Sequence, residues 1–489
     1  MCDEPALPSV QGMRNISLAL ALAVAACGSS SPPATDHRFD ALAAAIGADL
    51  ATSAATGASV AVWLDDEIVW VGGFGTADPA GVSPPDEDTR FQIGSDTKKL
   101  TALSLLREVA AGKITLDTTV GEALPDLVMA QAPTFPSTTL RQLLSHQSGI
   151  VDEVELTSST SDGDLAGYAY GDFAASYYSM VEPGLFYNYA NPNFAIAGLV
   201  DERLAGRPWA DLVEADLFEP LGMTRSVARK ASLDDDTAIG NGITVTSTDG
   251  VIQRIPIEDT WESAFVRPAG LVWSTPSDQI RLARFLVDGD DEVLPASLRA
   301  EVTSPQAPLD PDFAAAYGFG MIMTRGLPID DRFYDVPVWT HGGITLSYSS
   351  TFYVLPDQRF AISILSNGRN DDFGLSVVTA IGTLVDLPSP TTPPSPPFDA
   401  TKLDALVGTY DAFDGDLGPF ELIVTRTGDA LQISVPVLDD NGVPYDHALT
   451  AVSTHVWIAQ LGGAPEDLAF IDTPGGMYLR NRAFVGRRR

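Results

Sequence analysis

The chain has 489 residues, 45% hydrophobic and 19% charged, and carries a formal net charge of −36. That length exceeds one small domain, and the apolar content is enough for a large core. Negative charge spread along the whole chain repels polyanions, which argues against nucleic acid or an anionic membrane surface as partner.

The first element in chain order is a leader. "MRNISLALALAVAAC" (Met13–Cys27) has one arginine, an apolar run of signal-peptide rather than membrane-spanning length, small residues and then a cysteine. Val24-Ala25-Ala26-Cys27 resembles the lipobox of bacterial lipoproteins, which implies lipidation at Cys27 and membrane contact through that anchor alone. The alternative is an ordinary signal peptide cut near the same place, and either way residues 1–36 stand outside the fold. Residues 1–12 are polar and acidic, unlike the start of a signal, so translation is expected to begin at Met13. Cys2 is the other cysteine, so an exported mature chain has no pair for a disulfide and rests on its core. The leader predicts export, as a periplasmic or cell-envelope lipoprotein or as a secreted protein.

A Ser/Pro tether, "GSSSPPATD", follows, and a folded region is expected over residues 37–386. It opens with "GASVAVWLDDEIVWVGGFG" (Gly57–Gly75), which reads as two strands joined at Asp65-Asp66. Near its end "STFYVLPDQRFAISILSNG" (Ser350–Gly368) reads as a second hairpin, turning at Pro356-Asp357. Strands at both ends with helical patterns between them predict an α+β domain, an antiparallel sheet flanked by helices. A proline-rich linker spans residues 387–397, and residues 398–489 alternate short strands with turns, as a small all-β domain does.

Within the folded region, "FQIGSDTKKLTALSLLREVAAGK" (Phe91–Lys113) places Leu103, Leu106, Val109 and Ala110 at helical spacing. Residues three apart share a helix face, so Ser95 and Lys98 meet at its N-terminal end while Lys99 points elsewhere. A hydroxyl beside an amine at a positive helix terminus is one way to activate a nucleophile. Ser-x-x-Lys alone is common, and its weight comes from two further elements. In "PGLFYNYANPNFAIAGLV" (Pro183–Val200), Tyr189 offers a phenol whose pKa a nearby ammonium would lower, and Asn191 offers both a donor and an acceptor. Tyr187, two residues away, is out of register. In "WTHGGITLSYSS" (Trp339–Ser350), His341 precedes two glycines in strand-like sequence, and Gly343 would give clearance to a substrate lying along the strand. His146, in "LLSHQSG", reads as a residue that pins a turn.

These three elements, in this order and spacing, resemble the serine β-lactamase-like family, which groups class C β-lactamases, DD-carboxypeptidases, D-aminopeptidases and related esterases. "ITLDTTVGEALPD", "TTLRQLLSHQSGI", "LFEPLGMTRS" and "PAGLVWSTPSD" match its habitual phrases, and the likeness runs over roughly residues 38–386. The C-terminal segment, opening with "LVGTYD", is similar to the β-barrel-like domain that many members append. The resemblance implies a β-lactamase/transpeptidase-like fold, an antiparallel sheet with a mainly helical subdomain, and no cofactor or metal. It implies Ser95 as acylated nucleophile, Lys98 as the amine handling its proton, Tyr189 as second acid/base group and Asn191 as substrate orienter. His341-Gly342-Gly343 lies where β-lactamases carry Lys-Thr-Gly, and the N–H groups of Ser95 and Ile344 would form the oxyanion hole.

His341 in place of a lysine removes a cation that helps fix a substrate carboxylate, since histidine is mostly neutral at pH 7. The expected substrate is therefore a small ester, amide or cell-wall peptide, with esterase or peptidase activity ranked above β-lactam hydrolysis. A different class is a weak or inactive homologue that binds cell-wall peptide without turnover. A Ser-His-Asp hydrolase of the α/β type lacks its Gly-x-Ser-x-Gly elbow here, and a zinc hydrolase lacks its His-Glu-x-x-His. Oligomeric state leaves no signal in the sequence.

Overall fold

In the computed structural model, β1 (Gly57–Leu64) and β2 (Glu67–Gly75) form the predicted hairpin, turning at Asp65-Asp66, where Asp65 takes a left-handed conformation. The structure describes residues 37–153, 159–241, 261–369, 371–394, 397–415, 417–461 and 464–489. The leader, its expected lipidation site Cys27 and the tether lie outside the described residues. No helix among the described residues is long and apolar enough to cross a membrane.

Two short strands come next, β3 (Phe91–Gln92) and β4 (Trp273–Ser274), which pair with each other away from the main sheet. The main sheet is completed by β5 (Ala307–Pro308), β6 (Ala315–Tyr317), β7 (Ile322–Ile329), β8 (Arg332–Ile344), β9 (Ser349–Leu355) and β10 (Phe360–Ser366). Its order is β2-β1-β10-β9-β8-β7-β6-β5, with every neighbouring pair antiparallel. The second predicted hairpin is β9–β10, with Pro356–Gln358 as its turn.

Both faces of this sheet are covered, so its central strands are apolar on both sides rather than alternating. Val60, Val62, Ile362 and Ile364 face helix α1 (Asp40–Thr52) and the helix Gly374–Leu384, through Leu42, Ile46, Val377 and Ile381. Ala61, Trp63, Ala361 and Leu365 face the larger core, which holds helix α2 (Thr97–Ala110) and the helix Pro276–Asp288. From Thr97 to Leu106 every residue of α2 is buried, including both lysines. That burial explains the run of leucines and makes the lysines informative, because an ammonium reaches such a place only with partners or by losing its charge.

The remaining strands form the second sheet. They are β11 (Gly408–Asp414), β12 (Gly418–Thr427), β13 (Ala430–Ser434), β14 (Thr450–Ala451), β15 (Val456–Leu461), β16 (Ala464–Thr473), β17 (Gly476–Arg480) and β18 (Val485–Arg488). The order β13-β12-β11-β18-β17-β16-β15-β14 comes close to closing on itself, since Gln432 bridges Ala448 and Leu449 N–H bonds to Leu431 O at 3.1 Å. The result is a nearly closed eight-stranded barrel filled by Tyr410, Leu422, Trp457, Phe470 and Leu479. The linker is tied to the main sheet where Thr391 exchanges backbone hydrogen bonds with Phe333. The barrel is tied to the larger domain by Arg480, whose Nη1 donates to Tyr187 O at 2.9 Å and Leu309 O at 2.8 Å.

Candidate active site

Ser95 sits on a one-turn helix (Gly94–Asp96) between β3 and α2. Gly94 there has φ +54, and a Cβ on it would lie 2.5 Å from Ile344 N, so only glycine satisfies both the turn and the approach of β8. Gly343 meets it from the other side. A Cβ on Gly343 would fall 1.9 Å from Ile93 O and 2.6 Å from Ser350 Oγ. The clearance expected there for substrate is thus taken by the protein's own backbone, and the glycine serves to press the serine turn against the strand.

The close approach seats the serine turn against the last residues of β8. Thr345 N–H bonds to Tyr348 O at 2.9 Å, so by the alternation of an antiparallel ladder the Ile344 N–H faces away from β9. It leaves the sheet at an edge that β7 no longer covers, since β7 begins at Ile322 opposite Thr340. Ile344 itself is half exposed at the cavity.

Lys98 is fully buried behind Ser95, and its Nζ lies 2.9 Å from Ser95 Oγ, 2.7 Å from Asn191 Oδ1 and 2.7 Å from Ala269 O. Burial pushes this amine well below the ordinary lysine value, against the opposing pull of Asp152. Loss of a proton from this amine would leave two hydrogens for Asn191 and Ala269 and a lone pair for the Ser95 hydroxyl. Tyr189 completes the chain by donating from its hydroxyl to Ser95 Oγ at 2.7 Å. The expectation that Tyr189 would have a lowered pKa is corrected here. Burial raises it, outweighing the opposing pull of Arg482, so the phenol holds its proton and acts as a donor.

Asn191 opens the helix Asn191–Ala205 without capping it by its side chain. Its N–H and Nδ2 both donate to Asp152 Oδ1, at 2.6 and 3.1 Å, while its Oδ1 faces Lys98. One Nδ2 hydrogen remains for a substrate carbonyl.

His341 lies on β8, directly before the two glycines. It lies in the cavity wall, 5% exposed, with Nδ1–H donating to Gly342 O at 2.6 Å and Nε2 accepting from the Tyr317 hydroxyl at 2.9 Å. Both nitrogens are committed, and burial together with Lys98 pushes its pKa down to about 3, so it is neutral at physiological pH. Gly342 lines the cavity beside it.

Lys99 does point away from Ser95, as expected, but it has a partner. Its Nζ lies 2.7 Å from Asp96 Oδ1 and 3.8 Å from the centroid of the Phe352 ring, with both charged side chains sealed from solvent. Asp96 Oδ2 lies 2.8 Å from Ser350 Oγ, which is also 2.8 Å from Ile93 O. This group braces the serine turn against β9.

Several residues around the site carried no signal that sequence reasoning used. Asp152 is one. His146, read from the sequence as a turn residue, takes a left-handed conformation, its Nδ1 accepts from Ala190 N–H at 3.1 Å, and its ring packs 4.1 Å from that of Tyr189. It sits in a turn as expected, and it also holds the separate segment that carries Tyr189, accepting from Asn188 N–H and Ala190 N–H. Arg482 of the barrel donates from Nε to Asp152 Oδ2 at 2.5 Å and stands 4.5 Å from the centroid of the Tyr189 ring. Its trace in the sequence is a pair of arginines two apart in a strongly acidic chain. Tyr187 also lines the cavity, packed on His146 and Tyr317, and no hydrogen bond joins it to Ser95 among the described residues. Ser95, Tyr189, Asn191, His341, Ile344 and Arg482 line a cavity of about 500 Å³. No cluster of metal-ligating side chains occurs among the described residues.

The family described as Beta-lactamase matches residues 42–380, and the chain belongs to it, as a member of a group of serine hydrolases. Penicillin-binding protein 4 of Amycolatopsis lactamdurans is 28% identical over 73% of this chain and 94% of its own length. A D-aminopeptidase of Gluconobacter oxydans is 28% identical over 67% of this chain, which spans 58% of that longer protein. The crystal structure of SurE superposes with a TM-score of 0.66 at 22% identity, covering 92% of this chain and 99% of that one, so the fold is shared with the barrel included.

Proposed function

We propose that the protein is a serine hydrolase that cleaves an ester or amide through an acyl-enzyme on Ser95. The observation that carries this reading is the hydrogen-bonded chain from Tyr189 through Ser95 to a buried, three-coordinated Lys98. Ser95 Oγ attacks the substrate carbonyl as its proton passes to Lys98 Nζ, forming the C–O bond and moving the carbonyl electrons onto oxygen. The N–H groups of Ser95 and Ile344 receive that oxyanion, and loss of one such donor commonly costs a hundredfold or more in rate. The leaving group departs with the proton of Tyr189, which recovers one from the Lys98 ammonium. Water then repeats the sequence in reverse and frees Ser95. Asn191 holds the acyl carbonyl through its uncommitted Nδ2 hydrogen.

Relatives named as penicillin-binding protein and D-aminopeptidase support peptide-like substrates, and a leader ending at Cys27 fits action in the cell envelope. Steady-state hydrolysis of a chromogenic ester and of D-amino-acid amides, with wild type beside Ser95→Ala, tests the reading. Turnover by the wild type and none by the variant is the expected result. Peptide affinity without turnover in either protein would replace it with the binding-only homologue.

A further inference from the structure

Among the described residues that line the cavity, the charged ones are Asp371, Asp372 and Arg482, which makes Arg482 its sole cation. Asp371 is occupied by the Ser366 hydroxyl at 2.6 Å and the Ala54 N–H at 2.9 Å, and Asp372 accepts from Gly374 N–H at 2.8 Å. Arg482 is committed at one edge only. Its Nε is held by Asp152, its face lies against the Tyr189 ring, and its Nη1 and Nη2 have no hydrogen-bond partner among the described residues. The side chain is 54% exposed, so this open fork of donors meets solvent in the cavity.

The guanidinium is also presented from a fixed base. Asn481 N–H bonds to Phe484 O at 3.0 Å and its Oδ1 accepts from Ala483 N–H at 2.8 Å, which makes a tight turn after β17. Arg480, two residues earlier, is 6% exposed and clamps that turn onto Tyr187 and Leu309. Asp152 links the fork to chemistry, because one carboxylate orients both Arg482 and Asn191.

We propose that Arg482, supplied by the C-terminal barrel, is the residue that determines specificity for a carboxylate on the leaving group of the substrate. A planar fork with two free nitrogens matches the geometry of a carboxylate. It stands beside Tyr189, on the side where the leaving group collects its proton, and not beside the acyl carbonyl that Asn191 and the two N–H groups hold. The barrel is then part of the active site. It restores the cation that His341 does not provide, and the preference against carboxylate-bearing substrates read from His341 alone is reversed. This inference rests on Ser95 being the acylated nucleophile.

The test compares benzoylglycyl-thioglycolate, a thioester whose leaving group ends in a carboxylate, with its neutral methyl ester. The wild type is expected to favour the acid. Arg482→Gln is expected to lower kcat/KM for the acid about ten- to a hundredfold more than for the methyl ester, mostly through KM, as loss of a charge-assisted pair does. Arg482→Lys, which keeps charge without the fork, recovers part of that preference. Equal losses on both substrates would mean that Arg482 acts only through Asp152 on Asn191, and would overturn the proposal. So would a wild type with no preference for the acid, or one that hydrolyses neither thioester although a fluorophosphonate labels Ser95. A folded wild type that takes no fluorophosphonate at Ser95 overturns the acyl-enzyme reading instead.

Discussion

Asn191 Oδ1 lies 2.7 Å from Lys98 Nζ, and Asn191 Nδ2 lies 3.1 Å from Asp152 Oδ1, so the residue that faces the substrate also fixes the orientation of the buried amine. The two act as one unit, with an acidic residue behind them. Lys98→Met removes the proton acceptor while keeping the volume, and kcat/KM is expected to fall by about a thousandfold or more. In the wild type, kcat/KM declines as pH falls through the depressed pKa of Lys98, because protonation blocks its lone pair. A steady-state pH profile of both proteins checks this, and the variant's residual activity loses that acid limb.

The same depression leaves a mark on stability. Below 10.5 the unfolded chain binds a proton at Lys98 that the folded one refuses, so the Lys98 contribution makes stability rise with pH between the folded value and 10.5. Thermal unfolding across that window is expected to show a shallower pH slope for Lys98→Met than for wild type.

Asp96 and Lys99 form a charge pair that is wholly inaccessible to solvent. Removing one partner strands the other, so Asp96→Asn or Lys99→Met alone should cost about 3–5 kcal/mol. The double variant should cost much less than the sum of the singles. Chemical denaturation of the four proteins measures the coupling, and additive losses would show that the pair is not a unit.

Gly343→Ala puts a methyl group on top of Ile93 O, which must move away by more than an ångström. That pries the serine turn from β8 and separates the N–H groups of Ser95 and Ile344. The expected loss in kcat/KM is about a hundredfold or more, the cost of one oxyanion donor. Ester hydrolysis by the purified variant, with circular dichroism to show that it folds, is the measurement.

His341 has both nitrogens occupied and titrates near 3, far from the working range. His341→Gln is therefore expected to keep the shape of the kcat/KM profile between about pH 5 and 8, where an ordinary histidine would titrate. On stability the sign follows from its depressed value. Its contribution is complete above the unfolded 6.5 and is lost as pH falls toward 3, so the variant should lose less stability on acidification than wild type.

Helical spacing by itself placed only Ser95 and Lys98 together; Tyr189, in the loop before the helix Asn191–Ala205, and Asn191 were singled out by the order of the motifs and their family resemblance. Both hairpins were legible from apolar runs broken by Asp65-Asp66 and by Pro356-Asp357. Asp152, Tyr317, Arg482 and the hold of His146 on the Tyr189 segment were not. Each acts across a long sequence separation, as with the 330 residues between Arg482 and Asp152, and none belongs to a periodic pattern. The role of Gly343 was misread because its space is filled by Ile93, a contact that depends on how the serine turn docks on the sheet. The state of Tyr189 was misread because burial, which raises a phenol, outweighs the lowering effect of the Arg482 cation beside it.

The most direct measurement of the central claim is intact mass after exposure to a fluorophosphonate, on a soluble chain begun just past Cys27 and on its Ser95→Ala counterpart. The phosphonyl adduct is slow to hydrolyse, so rapid turnover does not hide it. A single adduct on the wild type, absent from Ser95→Ala, is the predicted result. An adduct that persists in Ser95→Ala, or none on a wild type shown to be folded, would contradict the assignment of Ser95 as the nucleophile.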